Sequence, residues 1–95
     1  MELEAAWLMT LSAAWQYDQG MQAGAAANAA KYLAGEAGFE ACQQAVMTHG
    51  GFGYAKEFHV ERYLREIMIP RIAPVSRELI LSFIAEKVLG LPKSY

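Results

Sequence analysis

Three of the chain's eight glycines crowd into one short stretch, His49-Gly50-Gly51-Phe52-Gly53-Tyr54. Without a Cβ, such backbone can bring its amides close to another molecule, and close to an anion in particular. The same residues also stop a helix and turn the chain sharply, so a plain turn remains the competing reading. Two nucleotide motifs are excluded. Gly51-Phe52-Gly53 lacks the third glycine of a dinucleotide fingerprint and follows a helical pattern, and no Gly-Lys-Ser/Thr comes after it.

Pro74-Val75-Ser76-Arg77-Glu78 is the second candidate. Ser76 suits an N-cap, and the unpaired amides behind it, aligned with the helix dipole, favour an anion. A phosphate there would gain charge from Arg77; a simple cap needs no ligand. Other reactive types lack companions. His49 and His59 lie in different segments with no Cys or carboxylate at ligand spacing, so no metal is expected. Cys42 sits in an alanine-rich helix as a packed residue. Ser12, Ser76 and Ser82 have no nucleophile elbow, and Trp7 and Trp15 are packing residues.

Glycine and proline divide the sequence into four helical segments. The first spans Glu2 to Gln19, with Leu3, Trp7, Leu8, Leu11, Ala14 and Trp15 as its apolar stripe and Gly20 as its stop. The second, Ala23 to Thr48, is alanine-rich. Ala27, Ala30, Ala34, Ala37, Ala41, Ala45 and Thr48 form a seam of small side chains suited to close helix approach. Gly35 and Gly38 inside it point to tight packing, and Tyr32, Phe39 and Val46 make a bulkier second face. Glu57 to Met68 forms the third segment, with Val60, Leu64 and Ile67 inward and Glu61/Arg65 and Arg62/Glu66 as surface pairs. Pro70 and Pro74 predict an irregular link. A last helix from Val75 or Ser76 presents Leu79, Ile80, Phe83, Ile84 and Val88 and ends at Leu89-Gly90-Leu91-Pro92. Period-two alternation is missing throughout, so the fold class is all-α, an antiparallel helical bundle.

Ninety-five residues, 1–95, allow one domain at most. A net charge of −2 gives no basic face for nucleic acid, and 55% hydrophobic against 19% charged residues excludes disorder. So apolar a short chain predicts faces that need a partner. No charge-free run reaches the roughly 20 residues of a membrane span, the alanine- and glycine-rich stretch from Met21 to Ala30 included, and one cysteine with no secretory signal fits a reducing cytoplasm.

Taken together, the segments resemble the C-terminal helical domain of the acyl-CoA dehydrogenase family. The matching residues are Ala29-Ala30-Lys31-Tyr32-Leu33-Ala34, Ala45-Val46-Met47-Thr48 with the glycine stretch, Val60-Glu61-Arg62-Tyr63-Leu64-Arg65-Glu66 and the helix from Ser76. The resemblance implies part of a four-helix bundle in an enzyme that oxidises an acyl-CoA thioester at its α and β carbons. Hydride passes to FAD and electrons to an acceptor flavoprotein. It also implies a homo-oligomer, a dimer or tetramer, in which Met47, Thr48, His49, Gly50 and Gly51 contact the FAD of a neighbouring subunit. Ser76, Arg77 and Glu78 would contact the FAD of their own.

Departures qualify that pattern. Met47 stands where the family commonly has a glutamine, which removes an amide contact, and Glu78 stands at another common glutamine position. Many members carry the catalytic glutamate in a Glu-Gly-Thr run before the last helix. Pro74-Val75-Ser76 occupies that place here and supplies no base. Other branches place the glutamate on an earlier helix, which would precede Met1. The isolated chain is therefore expected to be inactive. Alternatives are a stand-alone helical interaction module without flavin, and an oxidase or monooxygenase relative.

Overall fold

The structure is a computed structural model and describes residues 1–93. Glu2–Asp18 form α1 and Gly24–His49 form α2, joined by a short turn at Gly20. A one-turn helix α3 (Gly51–Tyr54) and a 3₁₀ turn (Lys56–Phe58) follow. Then come α4 (Val60–Glu66), a second one-turn helix α5 (Ile69–Ile72) and α6 (Arg77–Lys87). No strand occurs among the described residues, as the lack of alternation predicted.

The hairpin of α1 and α2 is the main packed unit. Its buried side chains are Ala6 and Ala13 on α1 and Ala30 and Ala37 on α2. Each pair is seven residues apart, or two turns, so both lie on one face of their helix. Their size lets the backbones come together. The predicted stripe of α1 lies elsewhere: Trp7 is 57% and Trp15 58% exposed, and Leu3, Leu8 and Leu11 also face outward. Close approach to an alanine face selects small partners, which leaves the bulky stripe with nothing in this chain to bury against. The seam on α2 divides in the same way. Ala30 and Ala37 are covered, whereas Ala27, Ala34 and Ala41 are exposed; the expectation that Ala34 lies in a close contact is corrected accordingly.

Across α2 from α1 sits the lobe made by α3 to α6. Gly35 and Gly38 admit it: a Cβ on Gly38 would meet Ile67 Cδ1 at 2.9 Å, and one on Gly35 would touch Arg71 Cγ at 3.6 Å. Tyr32, Phe39 and Val46 turn half-buried toward this lobe. Ile80 of α6, 1% exposed, and Val60 of α4 are its buried anchors. The link expected to be irregular contains a helical turn, because Pro70 falls in the first turn of α5, where its missing N–H costs nothing. The Ala73–Pro74 bond beyond it is cis. Lys31 Nζ ties this link to α2 by donating to the carbonyls of Pro70 and Val75.

The result is an open slab. Its radius of gyration is 16.0 Å, against about 12–13 Å for a compact domain of this length. Its accessible surface, 6951 Å², exceeds the roughly 5,400 Å² expected of a monomer of this mass. The difference of about 1,500 Å² is roughly twice what one partner buries in a standard protein interface. Among the described residues no helix is long and apolar enough to cross a membrane.

Surface charges pair as the spacing predicted, Arg65 Nε with Glu61 Oε2 at 2.8 Å and Arg62 with Glu66 at 3.6 Å. The hydrogen bond from Arg65 holds the Glu61 carboxyl below its ordinary range.

Two outcomes are expected. In urea unfolding of this chain, Ala37→Leu overpacks the hairpin and lowers stability by about 1–3 kcal/mol, while Ala34→Leu changes it by less than about 0.5 kcal/mol. Equal losses at the two positions would return Ala34 to the interior. In an NMR titration Glu61 protonates below the ordinary glutamate range, and Arg65→Met raises its midpoint. Because the folded value is depressed, the pair's support of α4 is present above the unfolded pKa and is lost as pH falls through the folded one. An unmoved midpoint in Arg65→Met means the pair does not form in solution.

Candidate functional site

The first cluster is built by the end of α2. Met47, Thr48 and His49 are its last residues and all are exposed. His49 Nδ1 lies 2.8 Å from the Ala45 carbonyl. A carbonyl can only accept, so Nδ1 carries the proton and Nε2 is the nitrogen left for other partners. Gly50 then turns the chain at φ 58°, ψ −135°, a region that residues with a Cβ rarely adopt.

Three glycines here have three different grounds. Gly50 is required by its φ. Gly53 is required by contact: a Cβ there would strike the Val46 backbone of α2, whose carbonyl oxygen, carbonyl carbon and Cα all crowd the position. Gly51 has neither reason. Its φ is ordinary, and no atom lies within 4 Å of where its Cβ would stand. Gly50 likewise opens onto free space. As first-turn groups of α3, the amides of Gly51 and Phe52 have no hydrogen-bond partner among the described residues. Beside them Phe52 leans on Phe58, ring centroids 5.1 Å apart, and Phe52 remains exposed. The arrangement can accept the backbone-only approach of a polar or anionic group.

The second cluster surrounds the start of α6. Ser76 caps the helix, its Oγ accepting from the Leu79 amide at 3.3 Å, so the plain capping role is realised. Arg77 turns back onto α2. Its Nε lies 3.6 Å from Glu36 Oε1, buried and without a hydrogen bond, and its guanidinium sits 5.9 Å from the Tyr32 ring. Tyr32 first and the charge of Glu36 second hold Arg77 above its already high pKa, so it stays cationic. Glu78 is exposed at the edge of a groove of 320 Å³ that Phe39, Met68 and Ile72 also line.

These clusters do not meet in one protomer. Arg77 lies against Glu36, and Glu36 and His49 are thirteen positions apart on α2, roughly 20 Å along a helix. Pro74 lies in the link before α6. Cys42 is half-buried and unpaired, and no group of three His, Cys, Asp or Glu side chains converges among the described residues.

Sequence reasoning missed Lys31, Glu36 and Arg71. Arg71 Nε and Nη2 donate to the two Glu36 oxygens at 2.9 and 3.3 Å, and its guanidinium lies 4.4 Å over the Phe39 ring. Partners 35 positions apart leave no periodic trace. The single available signal was a charged residue beside Gly35 inside an otherwise small-residue seam.

The family model of the acyl-CoA dehydrogenase C-terminal domain matches residues 1–89. Acyl-CoA dehydrogenase FadE12 of Mycobacterium tuberculosis is 50% identical over 97 residues, covering 100% of this chain and 25% of its own length. A 3-(aryl)acrylate reductase of Clostridium sporogenes is 34% identical, over 93% of this chain and 23% of that protein. The caffeyl-CoA reductase-Etf complex subunit CarC of Acetobacterium woodii is 43% identical, over 72% and 18%. The chain thus spans about a quarter or less of these relatives.

Substituting the glycines separates their roles. Gly53→Ala must displace the end of α2 and lowers stability by about 1–3 kcal/mol in urea unfolding, whereas Gly51→Ala leaves folding within about 0.5 kcal/mol. A large loss in Gly51→Ala would give Gly51 a purely structural reason.

Proposed function

The chain belongs to the acyl-CoA dehydrogenase family, through that family's C-terminal domain, and from that premise we propose that it forms the helical C-terminal part of a flavin-dependent enzyme. The reaction is dehydrogenation of an acyl-CoA thioester between its α and β carbons. FAD, when bound, supplies the acceptor for the hydride. The observation that carries the reading is Gly51, a glycine that neither backbone angle nor packing within the chain requires, beside amides with no internal partner.

Met47, Thr48, His49, Gly50 and Gly51 would hold one cofactor through backbone N–H groups, with His49 Nε2 as an added polar contact. Ser76, Arg77 and Glu78 would meet a second cofactor at the start of α6. A diphosphate is far shorter than the roughly 20 Å of α2 between the clusters, so the two cannot share one diphosphate within a protomer, and we assign them to the flavins of two different protomers. That distance, together with the outward stripe of α1 and the surplus surface, supports a homo-oligomer whose contacts and missing bundle helices cover those faces.

Proton abstraction α to the thioester needs a positioned carboxylate. Pro74, Val75 and Ser76 offer none, and Glu36, the nearby buried-side carboxylate, is engaged by Arg71. We place the base outside this chain. An electron-transfer flavoprotein is proposed as redox partner, supported by the Etf in the name of the Acetobacterium relative. Two relatives named as reductases favour a second reading, in which the same carbon–carbon bond is reduced in a conjugated acyl or aryl-acrylate substrate. A cytoplasmic site remains part of the proposal.

The protein carrying this chain should purify with one FAD per protomer, and an acyl-CoA should bleach that flavin under anaerobic conditions while this chain alone does neither. Flavin-free protein that cannot be reconstituted sinks the proposal; bleaching by a reductant with reoxidation by an enoyl-type substrate selects the second reading.

A further inference from the structure

We propose that Glu36 is a positioning residue that sets the start of α6 by holding two arginines with one carboxylate. The clamp is read from this chain alone; its effect on flavin rests on the function proposed above.

Arg71 saturates the carboxylate, with Nε and Nη2 on its two oxygens at 2.9 and 3.3 Å. Arg77 is left 3.6 Å from Oε1, its Nε buried and unbonded. Lys31, one turn before Gly35 on α2, donates to the carbonyls of Pro70 and Val75 on either side of the link. Gly35 leaves room for the stem of Arg71, and Phe39 receives its guanidinium face. Lys31, Gly35, Glu36 and Phe39 thus form one face of α2 on which residues 70–77 are seated. The Ser76 cap and the free amides of α6 follow from that seat.

Two cations, Arg71 and Arg77, flank this carboxylate, so the anion and its main partner are not equivalent when one of them is removed. Without Glu36, two partly exposed guanidiniums drawn toward one point are left with no anion between them, a like-charge contact. Without Arg71, the carboxylate is free for Arg77, which needs to close by less than an ångström to make a hydrogen bond. Removing the anion must therefore do more harm than removing its main partner. Removing both relieves the repulsion.

The test compares wild type, Glu36→Gln, Arg71→Met and the double variant in the full protein that carries this chain. Two readouts are taken, FAD affinity of the apoprotein and hydrogen exchange of the Leu79 amide, which donates to Ser76 Oγ. Glu36→Gln is expected to weaken FAD by about tenfold or more and to speed Leu79 exchange. Arg71→Met changes both by about twofold, and the double variant recovers most of what Glu36→Gln lost. Equal or additive effects overturn the clamp, as does a Glu36→Gln protein with wild-type exchange at Leu79. If wild type proves to hold no flavin, the functional reading fails while Leu79 exchange still decides the clamp. Should Glu36→Gln not fold, Glu36→Asp takes its place, its shorter arm reaching one arginine; wild-type Leu79 exchange there overturns the proposal.

Discussion

Everything in this structure follows from the size of the side chains between α1 and α2. The hairpin closes on Ala6, Ala13, Ala30 and Ala37, which bury little apolar area each but let two backbones approach. A hairpin closed on methyl groups cannot also bury tryptophans on the same face. Leu3, Trp7, Leu11 and Trp15 consequently point away, and the chain carries its largest apolar groups on its outside. Such groups contribute about 1.5–3 kcal/mol each when fully buried, so this surface is stabilising only once another helix or subunit covers it. An open slab with surplus surface is what a portion of a larger helical assembly must look like when seen by itself.

On that hairpin α2 acts as a ruler. It runs 26 residues, longer than α1, and its two far-apart stations carry the two candidate clusters. Glu36 and Lys31 seat the link and the start of α6 at one station. At the other, Val46 and Gly53 press the α2 end against α3 and fix the Gly50 turn. The separation between stations is set by helical rise, which does not flex appreciably. Any role shared by the two clusters therefore needs a ligand of that reach or a second protomer.

Helix existence and most boundaries were legible from local chemistry. Gly20 stopped α1, Ser76 capped α6, and the Glu61/Arg65 spacing foretold its ion pair. Gly35 and Gly38 foretold close packing, since a glycine inside a helix costs about 1 kcal/mol unless something approaches it. Orientation was not legible. The periodicity of α1 marks an apolar stripe but carries no information on which helix meets it, and the smaller alanine face won the contact inside this chain. Nor could spacing show that Arg71 and Arg77 converge on Glu36. That convergence arises from folding the link across α2, a long-range event with no sequence period. The turn at α5 was missed for a local reason: Pro70 was read as a breaker, whereas in a first turn it is a helix starter.

The two candidate clusters differ in what they tell. Ser76 and Arg77 have complete structural explanations, one as a cap and the other as a partner of Glu36 and Tyr32, so their presence would be the same in a chain that bound nothing. Gly50 and Gly53 are likewise explained, by a backbone angle and by a collision. Only at Gly51 do the chain's own demands run out, with open space where a side chain could stand and unpartnered amides behind it. Glycine in a helical turn loses conformational entropy relative to alanine, a cost that folding of this chain does not recover. A contact with something outside the chain would recover it, and the proposed cofactor reading stands on that residue more than on any other.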